Sequence, residues 1–147
     1  EALARHRELL AAIDGFVGRG TRITDDHLWE AARSGNTELV RILIRAGVNL
    51  NVAPSGSTPL AAAIRQGAVD AAVALVEAGA DPAPQSADTP ALHLAAAKGG
   101  PLIEVVRALL RRGVDPNATD SDGQTALDVA RRKEVRRLLI DAGARSR

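Results

Sequence analysis

"ELVRILIRAG", residues 38–47, has three gapless counterparts in the same chain: "DAAVALVEAG" (70–79), "EVVRALLRRG" (104–113) and "EVRRLLIDAG" (134–143). Each opens on a carboxylate nine positions before a glycine. Leu43, Leu75, Leu109 and Leu139 stand four residues before that glycine, followed by Ile44, Val76, Leu110 and Ile140. The closing glycines Gly47, Gly79, Gly113 and Gly143 are 32, 34 and 30 residues apart. A period in this range marks a stack of supersecondary units rather than one closed core. Each segment reads as a helix with an acid in its first turn, favourable for the helix dipole, and a glycine at its C-terminal cap.

A shorter apolar segment precedes each one: "DHLWEAARSG", "TPLAAAIRQG", "TPALHLAAAKG" and "TALDVARRK". These read as alanine-rich helices that start at Thr or Asp, with Gly35, Gly67 and Gly99 ending the first three. Thr58, Thr89 and Thr125 are placed as N-caps and Asp26 as the cap of the first unit. Pro90, at the first helical position, loses no needed donor. Polar loops rich in Gly, Pro, Asn and Asp, about ten residues long, return the chain to the next unit. One such unit cannot bury its apolar faces, whereas stacked units bury them against one another.

Composition agrees with thin layers of closely packed helices. The 147 residues suit one domain, and Phe16 and Trp29 are the only Phe, Trp or Tyr side chains. Cysteine is absent, which excludes disulfides, thiolate metal sites and a cysteine nucleophile. No run approaches the ~18 apolar residues of a membrane span. Basic and acidic groups balance at 19 against 18, but residues 131–147 carry seven basic and two acidic side chains. Of the basic residues, 17 are arginine, a bias that points to a GC-rich bacterial genome. The chain opens on Glu1, which reads as a fragment or a processed form.

The pattern resembles the ankyrin repeat family over about residues 22–144. The resemblance is carried by "TPL" (58–60), "TPALHLAA" (89–96), "TAL" (125–127), "AGVNLN", "AGADPA" and "RGVDPN". It implies an all-α solenoid of stacked helix-turn-helix units, with repeats at about 22–53, 54–84, 85–120 and 121–144. Residues 1–21 fall outside the repeat, and "EALARHRELLAAI" reads as an N-terminal capping helix followed by a joint. The departures are local. Repeat one has Asp26-His27 where Thr-Pro belongs, and repeat three inserts Ala91 and lengthens its "GGPLIE" connection. Repeat four lacks about three residues between its helices.

By this resemblance, His93 is structural and ties neighbouring loops by hydrogen bonds; the matching positions are Trp29, Ala61 and Asp128, so no catalytic site recurs. No catalytic residue, metal or cofactor is expected. His6 and His27 lie in no ligand cluster. "DSDGQ" lacks the closing Glu of a calcium loop, and "GFVGRG" lacks the Lys-Ser/Thr of a phosphate loop.

The resemblance also implies that a protein partner is gripped by loop tips and by the last residues of each first helix, on the concave face. Those helix positions are Arg33 and Ser34, Arg65 and Gln66, Lys98, and Arg132 and Lys133. The loop tips are Ser55 and Ser57, Ser86 and Asp88, and Asp122. One cation per repeat makes a line suited to an acidic partner surface. Trp29 has two fates, burial under the residue 1–13 helix or service as an aromatic anchor.

The resulting expectation is a non-catalytic, cytoplasmic protein-protein interaction module without a small-molecule substrate. Two alternatives stand beside it. One is a regulatory or substrate-recruiting domain of a larger enzyme. The other is a nucleic-acid binder through the basic C-terminal helix, against which the missing stacking aromatics argue.

Overall fold

The computed structural model of the chain describes residues 24–54, 56–83 and 89–145. The expected capping helix over residues 1–21 lies outside them. Four helix pairs follow in order: α1 (Asp25–Ser34) with α2 (Thr37–Arg45), α3 (Pro59–Gln66) with α4 (Val69–Glu77), α5 (Ala91–Lys98) with α6 (Ile103–Arg111), and α7 (Ala126–Val129) with α8 (Lys133–Asp141). A single 3-10 turn, Gly100–Leu102, joins α5 to α6. Among the described residues there is no strand, only an isolated antiparallel bridge between Thr119 and Thr125.

The first helices form one layer, α1 against α3, α3 against α5 and α5 against α7. The second helices form the other layer, α2 against α4, α4 against α6 and α6 against α8. Alanine permits the close approach in the first layer. Ala31, Ala32, Ala61, Ala62, Ala63, Ala91, Ala95, Ala96 and Ala126 are all buried there. Larger side chains fill the space between layers. Leu43, Leu75, Leu109 and Leu139 are each at most 1% exposed, as the fourfold pattern requires.

Each second helix ends with the same bond. The backbone N–H groups of Val48, Ala80, Val114 and Ala144, one residue past the closing glycines, donate to the carbonyls of Leu43, Leu75, Leu109 and Leu139 at 3.5, 3.0, 3.2 and 2.9 Å. The same four leucines thus supply the core with their side chains and close the helix with their carbonyls. Glu38, Asp70, Glu104 and Glu134 occupy the first turns of α2, α4, α6 and α8.

The starts of the first helices differ from the sequence reading at two places. In repeat one the cap is Thr24, not Asp26, and α1 has ten residues against eight in α3. His27, in the third helical position, accepts the Thr24 N–H on Nδ1 at 3.0 Å. In repeat three the inserted Ala91 becomes the first helical residue, so Pro90 takes the cap position and Thr89 lies one residue before it. Thr89 therefore does not cap α5. Thr58 and Thr125 do cap: their Oγ1 atoms accept the N–H groups of Ala61 at 3.2 Å and Asp128 at 3.3 Å.

Candidate protein-interaction site

The C-terminal ends of the first helices and the loops beside them form one edge of the stack. In the first two repeats the turn after the helix is the same. Asn36 N–H closes on the Ala31 carbonyl and Ala68 N–H on the Ala63 carbonyl, both at 2.9 Å, and Gly67 sits at φ 79°, ψ 19°. Such a turn aims the last helical side chains, Arg33-Ser34 and Arg65-Gln66, out along the edge; all four are exposed.

Arg33 is held by its own helix. Its guanidinium lies over the Trp29 ring, 5.4 Å from the centroid, and 3.5 Å from Glu30 Oε2. Both members of this ion pair are about three-fifths exposed, at 62% and 60%. At that distance the face of the ring attracts the cation. Trp29 is half-buried against the core, with its indole Nε1 enclosed and without a hydrogen-bond partner. The residue 1–13 helix expected to cover it lies outside the described residues. Arg65 is oriented from the loop: its Nη1 donates to Ser57 Oγ at 2.8 Å.

The other two cations of the line turn toward the stack itself. Lys98 Nζ donates to the carbonyl of Arg65 at 3.0 Å, so it caps α3 from the neighbouring repeat. Arg132 lays its stem on Gly99, where an added Cβ would stand 2.7 Å from Arg132 Cδ. The four positions equivalent in sequence thus are not equivalent in structure: Lys98 braces the neighbouring repeat, whereas Arg33, Arg65 and Arg132 are exposed.

The remaining candidates are scattered. Ser34 Oγ donates to the Ala31 carbonyl at 3.1 Å. Gln66 and Lys133 are exposed at the end of α3 and the start of α8. Asp122 is exposed in a turn in which Asp120 Oδ1 accepts the N–H groups of Asp122 and Gln124, each at 2.9 Å. That turn explains "DSDGQ" without a metal. Ser55, Ser86 and Asp88 lie outside the described residues.

His93 is 1% exposed and its Nε2 is 2.8 Å from the Gln124 carbonyl of the next repeat. A carbonyl only accepts, so Nε2 carries the proton and donates. Nδ1 is buried without a partner. The cause lies in the cap. In α1 the cap residue's N–H reaches His27 Nδ1, and in α7 the Thr125 N–H reaches Asp128 Oδ2 at 2.9 Å. In α5 the cap residue is Pro90, which has no N–H to give.

Sequence reasoning missed the role of His27, the Ser57–Arg65 bond and a set of loop staples. Asn51 Oδ1 accepts the Asp81 N–H and Asn117 Oδ1 the Arg145 N–H, each at 2.8 Å. The Asn residues within "NLN" and "DPN" were the available signal, because Asn in a loop both turns the chain and offers an acceptor to its neighbour.

Comparison with known proteins agrees with this architecture. Residues 6–86, more than half of the chain, match the family described as ankyrin repeats (3 copies), and residues 83–130 match ankyrin repeats (many copies). An ankyrin repeat-containing protein of Treponema pallidum (strain Nichols) is 33% identical over 98% of this chain and 50% of its own length. Ankyrin repeat and SOCS box protein 11 of Danio rerio is 36% identical over 79% of this chain and 39% of its own. A homolog of transient receptor potential cation channel subfamily A member 1 from Caenorhabditis elegans is 31% identical over 76% of this chain and 9% of its own. The chain thus spans half or less of the length of these relatives. No helix among the described residues is long and apolar enough to cross a membrane. Ankyrin repeats are a non-catalytic fold that binds protein partners, and this chain belongs to the ankyrin repeat family.

Proposed function

We propose that the chain binds a protein partner along the edge formed by the ends of its first helices, and that the partner brings acidic side chains to it. The observation that carries this reading is the outward pair, Arg33 on the Trp29 ring and Arg65 on Ser57, exposed and already oriented. Side chains positioned in advance lose less conformational entropy on binding. Catalysis has no place in the reading. The candidate acids and bases are engaged locally, since His93 holds the Gln124 carbonyl and Asp120 organises its own turn. The proposal includes a cytoplasmic location, which the disulfide-free composition accommodates. The repeats serve equally as the recruiting domain of a longer protein.

A nucleic-acid interface through α8 has weaker support. Val135 and Leu139 bury that helix, and Arg136 turns its guanidinium onto the carbonyls of Leu127 and Ala130 at 2.9 and 3.0 Å. The test is affinity capture from a lysate with the wild-type chain and with Arg33→Glu/Arg65→Glu as parallel baits. A partner identified by mass spectrometry, retained by the first and lost by the second, fits the reading. A partner retained equally by both contradicts it.

A further inference from the structure

We infer that the loops following α4 and α6, together with the start of α5, bind a primary amide: an asparagine side chain presented by a protein partner. The site lies at the start of a first helix rather than at its end, so the inference does not rest on Arg33 or Arg65.

Its origin is a gap in the loop staples. Asn51 and Asn117 each stand four residues past a closing glycine. Their Oδ1 atoms accept the N–H two residues past the next closing glycine, that of Asp81 and Arg145. The same register pairs Ala83 with Asp115. The turn is alike in all three loops: the N–H groups of Asn51, Ala83 and Asn117 donate to Oδ1 of Asn49, Asp81 and Asp115 at 3.0, 2.9 and 2.9 Å. Only the amide side chain is missing at Ala83, and among the described residues the Asp115 N–H meets no acceptor.

The gap coincides with a hollow. A cavity of about 210 Å³ opens beside Ala83 and Asp115. Pro82, Pro90 and Val114 line its walls, and the buried Leu92 and His93 its floor. Pro82 is held in place by its carbonyl, which accepts the Ala91 N–H at 3.1 Å. Sites for drug-sized ligands measure about 300–1,000 Å³, so this volume suits a single side chain.

His93 supplies the second polar group. Its Nε2–H donates to the Gln124 carbonyl, which leaves Nδ1 as a buried acceptor without a donor. In α1 and α7 the side chain at the same helical position meets the N–H of the cap residue. Nδ1 therefore faces the cap residue of α5, Pro90, which is a wall of the hollow. A buried acceptor left unpaired is costly, and a ligand that brings a donor removes that cost.

The two needs are opposite, since Nδ1 requires a donor and the Asp115 N–H an acceptor. A primary amide carries both on one planar group. An ammonium or guanidinium offers donors alone. A carboxylate offers acceptors alone and is repelled by the Asp115 side chain. The apolar walls receive the methylene that joins the amide to its backbone. The partner's asparagine thus stands where the chain's own asparagine stands in the other two loops.

The test is NMR titration of the isotope-labelled 147-residue chain with three probes, the N-acetyl, N-methylamide derivatives of asparagine, aspartate and alanine. The asparagine probe is expected to shift the Asp115 amide and the His93 ring nitrogens saturably, with one shared dissociation constant. The other two probes should shift neither. Two variants close the site from within. Ala83→Asn offers Asp115 the missing acceptor, and Pro90→Thr offers Nδ1 an N–H. Each should weaken the asparagine probe at least fivefold. Ala83→Leu fills the hollow without an amide and should abolish binding, which keeps the test decisive if either of the others misfolds. Absence of a saturable shift in the wild type overturns the inference, as does an equal response to the aspartate or alanine probe. Undiminished binding in the folded variants overturns it too. Arg33→Glu/Arg65→Glu should bind the asparagine probe within twofold of the wild type. A larger loss there would place the probe on the arginine edge and remove the site at Ala83, whereas failure of the site at Ala83 leaves the arginine edge untouched.

Discussion

The first two repeats and the last two use the same second helix but treat the end of the first helix differently. Gly67 closes α3 in a compact left-handed turn at φ 79°, ψ 19°. Gly99 closes α5 at φ 58°, ψ −148°, a backbone region nearly exclusive to glycine, and runs on into a 3-10 turn. In repeat four the first helix is a single turn, and Arg136 supplies the missing cap on the Leu127 and Ala130 carbonyls. Through all of this the bond to the carbonyls of Leu43, Leu75, Leu109 and Leu139 persists. The second helices are held by neighbours in the outer layer, whereas the ends of the first helices face solvent. Variation collects where packing does not forbid it, and that edge also carries the candidate site.

Breaking this contrast most strongly means giving both turns a side chain. Gly99→Ala places a Cβ 2.7 Å from Arg132 Cδ in a conformation that L-residues avoid, and should cost about 3 kcal/mol in urea unfolding. At Gly67 an added Cβ meets nothing within 4 Å, so Gly67→Ala bears the left-handed conformation alone, about 1 kcal/mol. Equal losses would mean that the two turns are energetically alike.

The capping difference gives the next two effects. His93→Ala leaves the Gln124 carbonyl without its donor and should lower stability by about 2 kcal/mol. Binding measured where the mutant is folded should stay within twofold; a loss of binding at full stability would make His93 part of the interface. Pro90→Thr restores both a cap acceptor and an N–H for the buried Nδ1 of His93, and should raise stability by about 1 kcal/mol. A destabilised Pro90→Thr protein would show that the ring of Pro90 matters more than the missing bond.

The smallest expected effect on stability belongs to the site. Arg65→Glu on an exposed helix end should change unfolding free energy by less than about 0.5 kcal/mol. Its effect on partner affinity should exceed that of Arg132→Glu, since Arg65 ends the first helix of the second repeat and Arg132 lies in the last one.

The fold was legible because every repeat obeys the same two constraints, an apolar leucine seam and a glycine past the helix. Those constraints are local and recur in phase, so the sequence alone places Leu43, Leu75, Leu109 and Leu139 between layers. The helix starts were less legible. Thr89-Pro90 looks like Thr58-Pro59, yet one inserted alanine moves the whole cap by a residue, and His27 reveals its role only once α1 is seen to begin at Asp25. The candidate site was readable as a set of equivalent positions and not as unequal ones. Whether a cation faces outward or braces its neighbour depends on contacts 33 residues away, such as Lys98 on the Arg65 carbonyl, and no local pattern encodes them.

The central claim is that the partner lies on the first-helix edge of repeats one and two. Hydrogen exchange of the chain, free and bound to its captured partner, tests it directly. The account predicts slowed exchange at the ends of α1 and α3 and in the turns at 35–36 and 67–68, with the outer helices α2, α4 and α6 unchanged. Protection confined to the outer helices, or to α8, would contradict it.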